Sequence, residues 1–171
     1  MLDCFEVALG RSRESGKATA EVYAPFVEFF RGFADQCHHC KEEDRLFPEL
    51  EKQGIPRAGG PIECMLEEHR IGRAHVKAIS EAIEAADGGD EAAINRILDK
   101  GDSFLDLLRL HINKEDKVLF EMADQLVQGS SLAQLTRGYA EAESTPEYSE
   151  TAKRCMAIAD RLIEMYTPAK A

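Results

Sequence analysis

The sequence lacks the features that mark membrane-spanning, secreted and nucleic-acid-binding proteins. No apolar run approaches the roughly 20 residues that a membrane span requires, and the N-terminal segment lacks the basic start and apolar centre of a signal peptide. Basic residues are few: 21 Lys and Arg stand against 32 Asp and Glu, which gives a net charge of −11. Nucleic-acid binders instead concentrate Lys and Arg on one face. We therefore expect a cytoplasmic protein whose partner is neither a membrane nor a nucleic acid.

Cysteines that could build a disulfide framework are also lacking. The five cysteines are an odd number without the spacing of a disulfide scaffold, which favours reduced thiols in a reducing compartment. Strand-like alternation of apolar and polar residues is almost absent. The 171 residues suffice for one domain with a substantial core but are too few for two. We predict a single all-α domain over residues 1–171.

Glycine and proline residues divide this chain into helices. Pro61 suits the first turn of a helix, and Asp90 suits the N-cap of the next one. The breaks predict helices at about residues 19–51 and 61–86, and either one helix or two at about 90–127, because Gly101 lies inside that range. Gly10 and Gly16 predict a break after a short first segment. The economical fold is an up-and-down four-helix bundle with its core at about residues 19–128 and an additional C-terminal helix at about 146–166.

Four of the five histidines lie on segments that look helical, and three of them precede a glutamate by four residues. Residues four apart share one face of an α-helix, so each such pair presents an imidazole and a carboxylate to one point. At about 100° per residue, His39 and Glu43 lie toward the apolar stripe of their helix, as His111 and Glu115 do in theirs. His69 lies on the buried face of its own helix. These side chains suit iron, manganese or zinc. An ordinary surface ion pair is the alternative for any one pair, but burying several carboxylates without a cation costs several kcal/mol.

Neighbouring residues are weaker candidates for the same chemistry. The same angles place His38 and Glu42 nearly opposite the apolar stripe, which predicts surface positions for both. Asp116 lies roughly 100° from the stripe of its helix. The motif Cys37-x-x-Cys40 leaves two interpretations open: a zinc-binding or redox dithiol, or two small buried side chains. The absence of a second CxxC favours the buried side chains, with Cys40 nearer the core than Cys37.

Three blocks of sequence resemble the signatures of hemerythrin-like HHE cation-binding domains. The blocks are HHCKEEDRLFPEL, the loop GIPRAGGP followed by MLEEHRIGR, and HINKEDKVLFEMAD. They occur in the order of the family and cover about residues 20–124. The resemblance implies a four-helix bundle that holds a non-haem, usually di-iron, centre and binds oxygen or related small ligands. By position, it implies metal ligands at His39, Glu43, His69, His111 and Glu115.

Two departures from the family affect the implied centre. Family members supply another His from the first helix, but here Leu2 stands roughly at that position. Oxygen-carrying members also place a His four residues after the one matched by His69, where this chain has Arg73, which cannot ligate a metal. We expect about one or two non-haem iron ions per chain, one of them held weakly. Either a second chain, in a homodimer, or the C-terminal helix could compensate for the reduced first helix.

The sequence therefore predicts a hemerythrin-like protein whose iron centre binds or senses O2, NO or peroxide. An enzyme is the less favoured interpretation, because no nucleophile, substrate cleft or cofactor loop accompanies the metal-binding residues. Two alternatives stay open. One is a non-haem iron peroxidase or oxidase with a Tyr or Cys near the metal as redox partner, and the other is an interaction module with a purely structural metal.

Overall fold

The computed structural model describes residues 1–167, which form six helices and no strand. The helices are α1 (Leu2–Ser15), α2 (residues 20–52), α3 (Pro61–Asp87), α4 (residues 91–126), α5 (Gly129–Glu143) and α6 (Pro146–Tyr166). The predicted all-α bundle with an additional C-terminal helix is confirmed. Within the described residues, none of these helices has the length and apolar character needed to cross a membrane.

Local sequence explains where several helices begin and end. The Asp90 carboxylate accepts a 2.9 Å hydrogen bond from the backbone N–H of Ala93 and so caps the start of α4. The Thr145 hydroxyl caps α6 in the same way. Both α3 and α6 begin with a proline. Proline lacks a backbone N–H, but the first N–H groups of a helix have no partner within the helix, so no hydrogen bond is lost there. Helix α1 ends where Gly16 adopts a left-handed conformation with φ of 68°.

Helix α1 is longer than the glycine pattern predicts. It continues through Gly10, and the predicted break at that residue is wrong. The reason is tertiary: α1 buries Phe5 and Leu9 completely in the core, and this burial outweighs the roughly 1 kcal/mol that a helical glycine costs. Leu9 occupies space that Gly101 leaves open on α4, where a Cβ would lie 2.6 Å from a Leu9 methyl carbon. Leu2 also packs against this core.

Helices α2 and α4 contain segments of π-helix, in which each N–H bonds to the carbonyl five residues earlier. In α2 these segments are Phe30–His39 and Glu42–Leu46, and in α4 the segment is Glu115–Leu119. A π turn holds more residues than an α turn, so each residue rotates by less than the ~100° of an α-helix. Side chains within and after these segments therefore face directions that an α-helical wheel does not predict.

Two apolar clusters occupy the two ends of the bundle. The larger includes Phe30 and joins α1, α2, α3, α4 and α6, whereas the smaller includes Phe47 and is partly covered by α5. Along α3, His69 falls between Met65 of the smaller cluster and Val76 of the larger one. The histidines therefore meet at the middle level of the bundle, with apolar packing on both sides.

The C-terminal helix α6 is part of the core. Its Ile158, Leu162 and Tyr166 are buried in the larger apolar cluster. Where α6 crosses α2, a Cβ on Gly32 would lie 2.5 Å from the Sγ atom of Cys155, so the glycine makes room for the thiol. Cys155 is consequently fully buried between the two helices.

Candidate metal centre

Three histidines from three helices meet inside the bundle: His39 on α2, His69 on α3 and His111 on α4. The ring centroids of His39 and His69 are 3.9 Å apart, and those of His69 and His111 are 4.9 Å apart. All three side chains are buried, as are the carboxylates of Glu42 and Glu115. These residues form two overlapping groups, in each of which the potential ligand atoms lie within 4.8 Å of one another. The groups are His39-His69-His111 and Glu42-His69-His111-Glu115.

Several polar atoms of this cluster lack the hydrogen-bond partners that buried groups normally have. The buried atoms without a partner are His39 Nδ1, His69 Nε2, His111 Nε2 and both carboxylate oxygens of Glu42. A buried carboxylate without a partner costs several kcal/mol, and a cation would offset that cost. Three imidazoles and two carboxylates also form a donor set suited to iron, manganese or zinc. The residues present therefore fit a metal ion.

Glu43, which the sequence proposes as a ligand, lies beside this cluster. One carboxylate oxygen of Glu43 lies 2.7 Å from His69 Nδ1 and accepts a 2.7 Å hydrogen bond from Arg73. Arg73 also donates to Asp35 at 2.8 Å. Although burial raises the pKa of Glu43, the hydrogen bonds from Arg73 and His69 outweigh it and leave the pKa below its ordinary value. A neutral His69 that donates its Nδ1 proton to Glu43 keeps Nε2 free for a metal.

Glu68 orients His111 in a corresponding way. One of its carboxylate oxygens lies 3.0 Å from His111 Nδ1, and the other accepts a hydrogen bond from Lys114. Burial raises the pKa of Glu68, but Lys114 and His111 together bring it below its ordinary value. His111 Nε2 approaches Glu115 to 3.0 Å without the alignment that a hydrogen bond needs. Each of these two imidazoles is thus held from outside by a carboxylate, as is usual for metal-binding histidines.

The adjacent residues His38 and His39 have different surroundings. Burial, assisted by the nearby His69, lowers the pKa of His39 to about 2, so its imidazole is neutral and available to a metal. The side chain of His38 is 40% exposed, and its Nε2 lies 3.3 Å from a carboxylate oxygen of Glu115. That contact raises the pKa of His38 above its ordinary value in spite of partial burial. The Glu115 carboxylate therefore favours protonation of His38.

The predicted surface position of Glu42 is wrong, since this residue is only 3% exposed. The expectation that Cys40 lies nearer the core than Cys37 is also wrong, because Cys37 is buried and Cys40 is half-buried. Both errors have one physical cause. The π segment Phe30–His39 contains Cys37 and precedes Cys40 and Glu42, and its wider turns shift these residues relative to an α-helical wheel of about 100° per residue. The same shift turns Glu43 away from the cluster.

An internal repeat in the sequence carries the signal that identifies Glu42. The segments HHCKEEDRLF and HINKEDKVLF both match the pattern H-x-x-K-E-(E/D)-x-x-L-F. This pattern pairs Glu42 with Glu115, and each of these residues begins a π segment and is 3% exposed. It also pairs His38 with His111. The two copies contribute the two buried carboxylates of the cluster.

The fold and the buried cluster define the class of this protein: a helical bundle with a site that could bind a metal. The sequence profile described as the Hemerythrin HHE cation binding domain matches residues 4–123, and the chain belongs to that family. This match includes most of α1, which contributes apolar packing but no histidine. No curated protein and no solved structure matches the chain closely enough to serve as a relative.

Proposed function

We propose that the protein holds a non-haem iron centre, of about one or two ions, that binds or senses O2, NO or peroxide. The observation that supports this most directly is the group of buried polar atoms without partners at the middle of the bundle. Membership of a cation-binding family supports it independently. When bound, iron supplies open coordination positions at which a small molecule can bind and exchange electrons.

The protein side chains have two roles in this proposal. The ligands are His39, His69 and His111, with Glu42 and Glu115 as carboxylates that bridge or balance charge. Glu42 thus takes the place that the sequence assigns to Glu43. Glu43 and Glu68 act outside the ligand set, because each faces the Nδ1 atom of a ligand histidine and thereby directs the Nε2 lone pair into the cluster.

A route from the surface to this centre is present in the structure. A cavity of about 270 Å³ extends outward from His39, His69 and His111. Its inner wall includes the buried aromatic rings of Phe30 and Phe104. This apolar wall favours the entry of an uncharged small molecule and disfavours ordered water, which needs polar partners. The cavity therefore suits a gaseous ligand or peroxide better than a hydrated ion.

Anaerobic purification from iron-replete cells, followed by metal analysis, tests the proposal. We expect about one to two iron ions per chain and an optical spectrum that changes on exposure to air or NO. Protein purified without any transition metal would contradict the central claim. Zinc alone would indicate a structural metal, and steady consumption of peroxide with a reductant would indicate a peroxidase.

A further inference from the structure

We propose that the cavity beside the metal centre binds an organic monocarboxylate with an apolar chain of medium length. The proposal goes beyond the function proposed above, because it assigns an organic anion to the cavity that the three histidines also line. The cavity itself is formed by protein side chains, so its occupancy can be tested with and without a metal.

The size of the cavity exceeds what a diatomic ligand needs. Its volume is about 270 Å³. An engineered apolar cavity of about 150 Å³ holds benzene, so by the same ratio this one holds on the order of ten non-hydrogen atoms. A two-atom ligand would leave most of that space empty, whereas an eight-carbon chain with a carboxylate would fill it.

The inner part of the cavity is built to accept an apolar chain. Phe30, Val76 and Phe104 line it and are each buried in the larger apolar cluster. Leu107 and Leu108 complete the wall from α4. Contact with these side chains would remove methylene groups from water, which is the main source of affinity for apolar ligands.

Gly72 keeps this space open. It lies inside α3, where glycine is unfavourable relative to alanine, and it does not adopt a positive φ that would require glycine. A Cβ at this position would lie 3.7 Å from Leu107 and from Phe104, which is ordinary van der Waals contact. Neither the backbone nor a close neighbour therefore demands glycine here, and what its missing side chain provides is cavity volume.

Cations surround the outer end of the cavity. Arg31 and Lys77 line it and are exposed, and Arg73, which is half-buried, lines it as well. Two acidic residues also line the cavity: Asp35 pairs with Arg73 at 2.7 Å and Glu68 pairs with Lys114, while Lys77 lies 3.8 Å from Glu81. In a chain with a net charge of −11, the lining of this cavity has one more cation than it has carboxylates. An anionic group entering here would meet Arg31 and Lys77, with its chain directed toward Phe30.

Calorimetric titration with octanoate, which has ten non-hydrogen atoms, tests the proposal on both the metal-free and the metal-loaded protein. We expect one octanoate per chain in both forms. Octan-1-ol has the same chain without the charge, so it cannot form an ion pair with Arg31 or Lys77. It should bind at least about fivefold more weakly, because a partly desolvated ion pair increases affinity by about this factor. Equal binding of the two compounds would overturn the assignment of a carboxylate.

Two pairs of variants locate the site. Gly72→Leu should weaken octanoate binding at least about tenfold by filling the cavity, and Gly72→Ala should weaken it less while keeping the helix stable. Gly10→Leu places the same change in α1, where nothing lies within 4 Å of the new Cβ, and should leave binding unchanged. Arg31→Gln should weaken binding about threefold, whereas Arg161→Gln, at an exposed position on α6, should not.

The outcomes separate this proposal from the proposed function. No binding of octanoate by either form, or binding that neither Gly72 variant alters, would overturn the cavity assignment and leave the iron centre standing. Octanoate binding that is sensitive to Gly72, in a protein that takes up no iron, would support the cavity and contradict the function.

Discussion

The two copies of the H-x-x-K-E-(E/D)-x-x-L-F pattern share a sequence but present their histidines differently. On α4, His111 is buried in the His/Glu cluster, whereas on α2 the equivalent His38 is 40% exposed and the next residue, His39, lies in the cluster. The difference follows from the preceding turns. Ten residues of π-helix, Phe30–His39, lead into the copy on α2, while α-helix leads into the copy on α4. Two segments of similar sequence can thus place histidines from different positions of the pattern in one cluster.

The largest expected effect concerns the two carboxylates that the copies contribute. Glu42→Gln and Glu115→Gln each keep the size of the side chain but remove the charge that balances a cation. Each should lower metal affinity by about a hundredfold. Residues that only hydrogen-bond to metal ligands contribute up to about a hundredfold, and a ligand itself should contribute at least as much. Competition with a chelator of known affinity measures this. Asp116→Asn, at an exposed position, is the control and should change little. Loss of metal from Asp116→Asn with retention by Glu115→Gln would reverse the assignment.

A smaller effect should separate His38 from His39. His39→Ala removes a buried imidazole that lies against His69, and metal affinity should fall by about thirtyfold. His38→Ala removes a contact to Glu115 and should lower affinity by about threefold. Metal content after dialysis against a weak chelator compares the two variants. If His38→Ala loses the metal and His39→Ala retains it, the ligand is His38, the residue that the repeat pairs with His111, and the assignment of His39 is wrong.

The carboxylates outside the cluster should have effects near tenfold. Glu43→Gln and Glu68→Gln weaken the orientation of His69 and His111, and partners of this kind contribute about 10–100-fold to metal affinity. Gln can still accept a hydrogen bond from the histidine, so we expect the loss of metal affinity to lie near the lower end of this range. Glu67→Gln is a matched control, because Glu67 is exposed and pairs with Arg70 on the same helix. Equal affinity for the Glu67 and Glu68 variants would show that the orienting contacts do not matter.

The pH dependence of metal binding should be the most gradual effect. Burial lowers the pKa of His111, but the Glu115 carboxylate outweighs it, so that in the metal-free protein the pKa values of both His38 and His111 lie above their ordinary value. A metal competes directly with the proton on His111, and its charge near Glu115 disfavours the proton on His38. Affinity should therefore rise with pH, by at most about tenfold per pH unit for each proton released. His39 is neutral throughout this range and adds nothing to the slope. Titrations in buffers of different ionisation enthalpy count the protons. Affinity that is independent of pH between 6 and 8 would contradict this coupling.

Sequence reasoning succeeded where the helices are regular. Helix α3 and the first 24 residues of α4 are α-helical, so an α-helical wheel correctly predicted that His69 and His111 are buried. The position of Pro61 and the cap at Asp90 marked helix starts through local chemistry alone. The apolar periodicity of the chain then determined the bundle, because each amphipathic helix must bury its stripe against another.

Sequence reasoning failed where geometry depends on contacts between helices. Nothing in the local sequence of α2 marks Phe30–His39 as π-helix, so the exchange of Glu43 for Glu42 could be seen only through the repeat. Glu68 orients His111 across a gap of 43 residues, and a pairing between helices has no periodicity to reveal it. The continuation of α1 through Gly10 likewise depends on burial of its apolar face in the assembled core.

The packing of Cys155 against Gly32 bears on how long the protein lasts in the presence of oxidants. Thiols react with peroxide as thiolates. Burial raises the pKa values of Cys155 and of Cys37 on the facing helix, which disfavours the thiolate form of both. Their burial also removes the sulfur atoms from solvent. The crossing of α2 and α6 therefore protects two thiols from irreversible oxidation in a molecule whose proposed ligands are themselves oxidants.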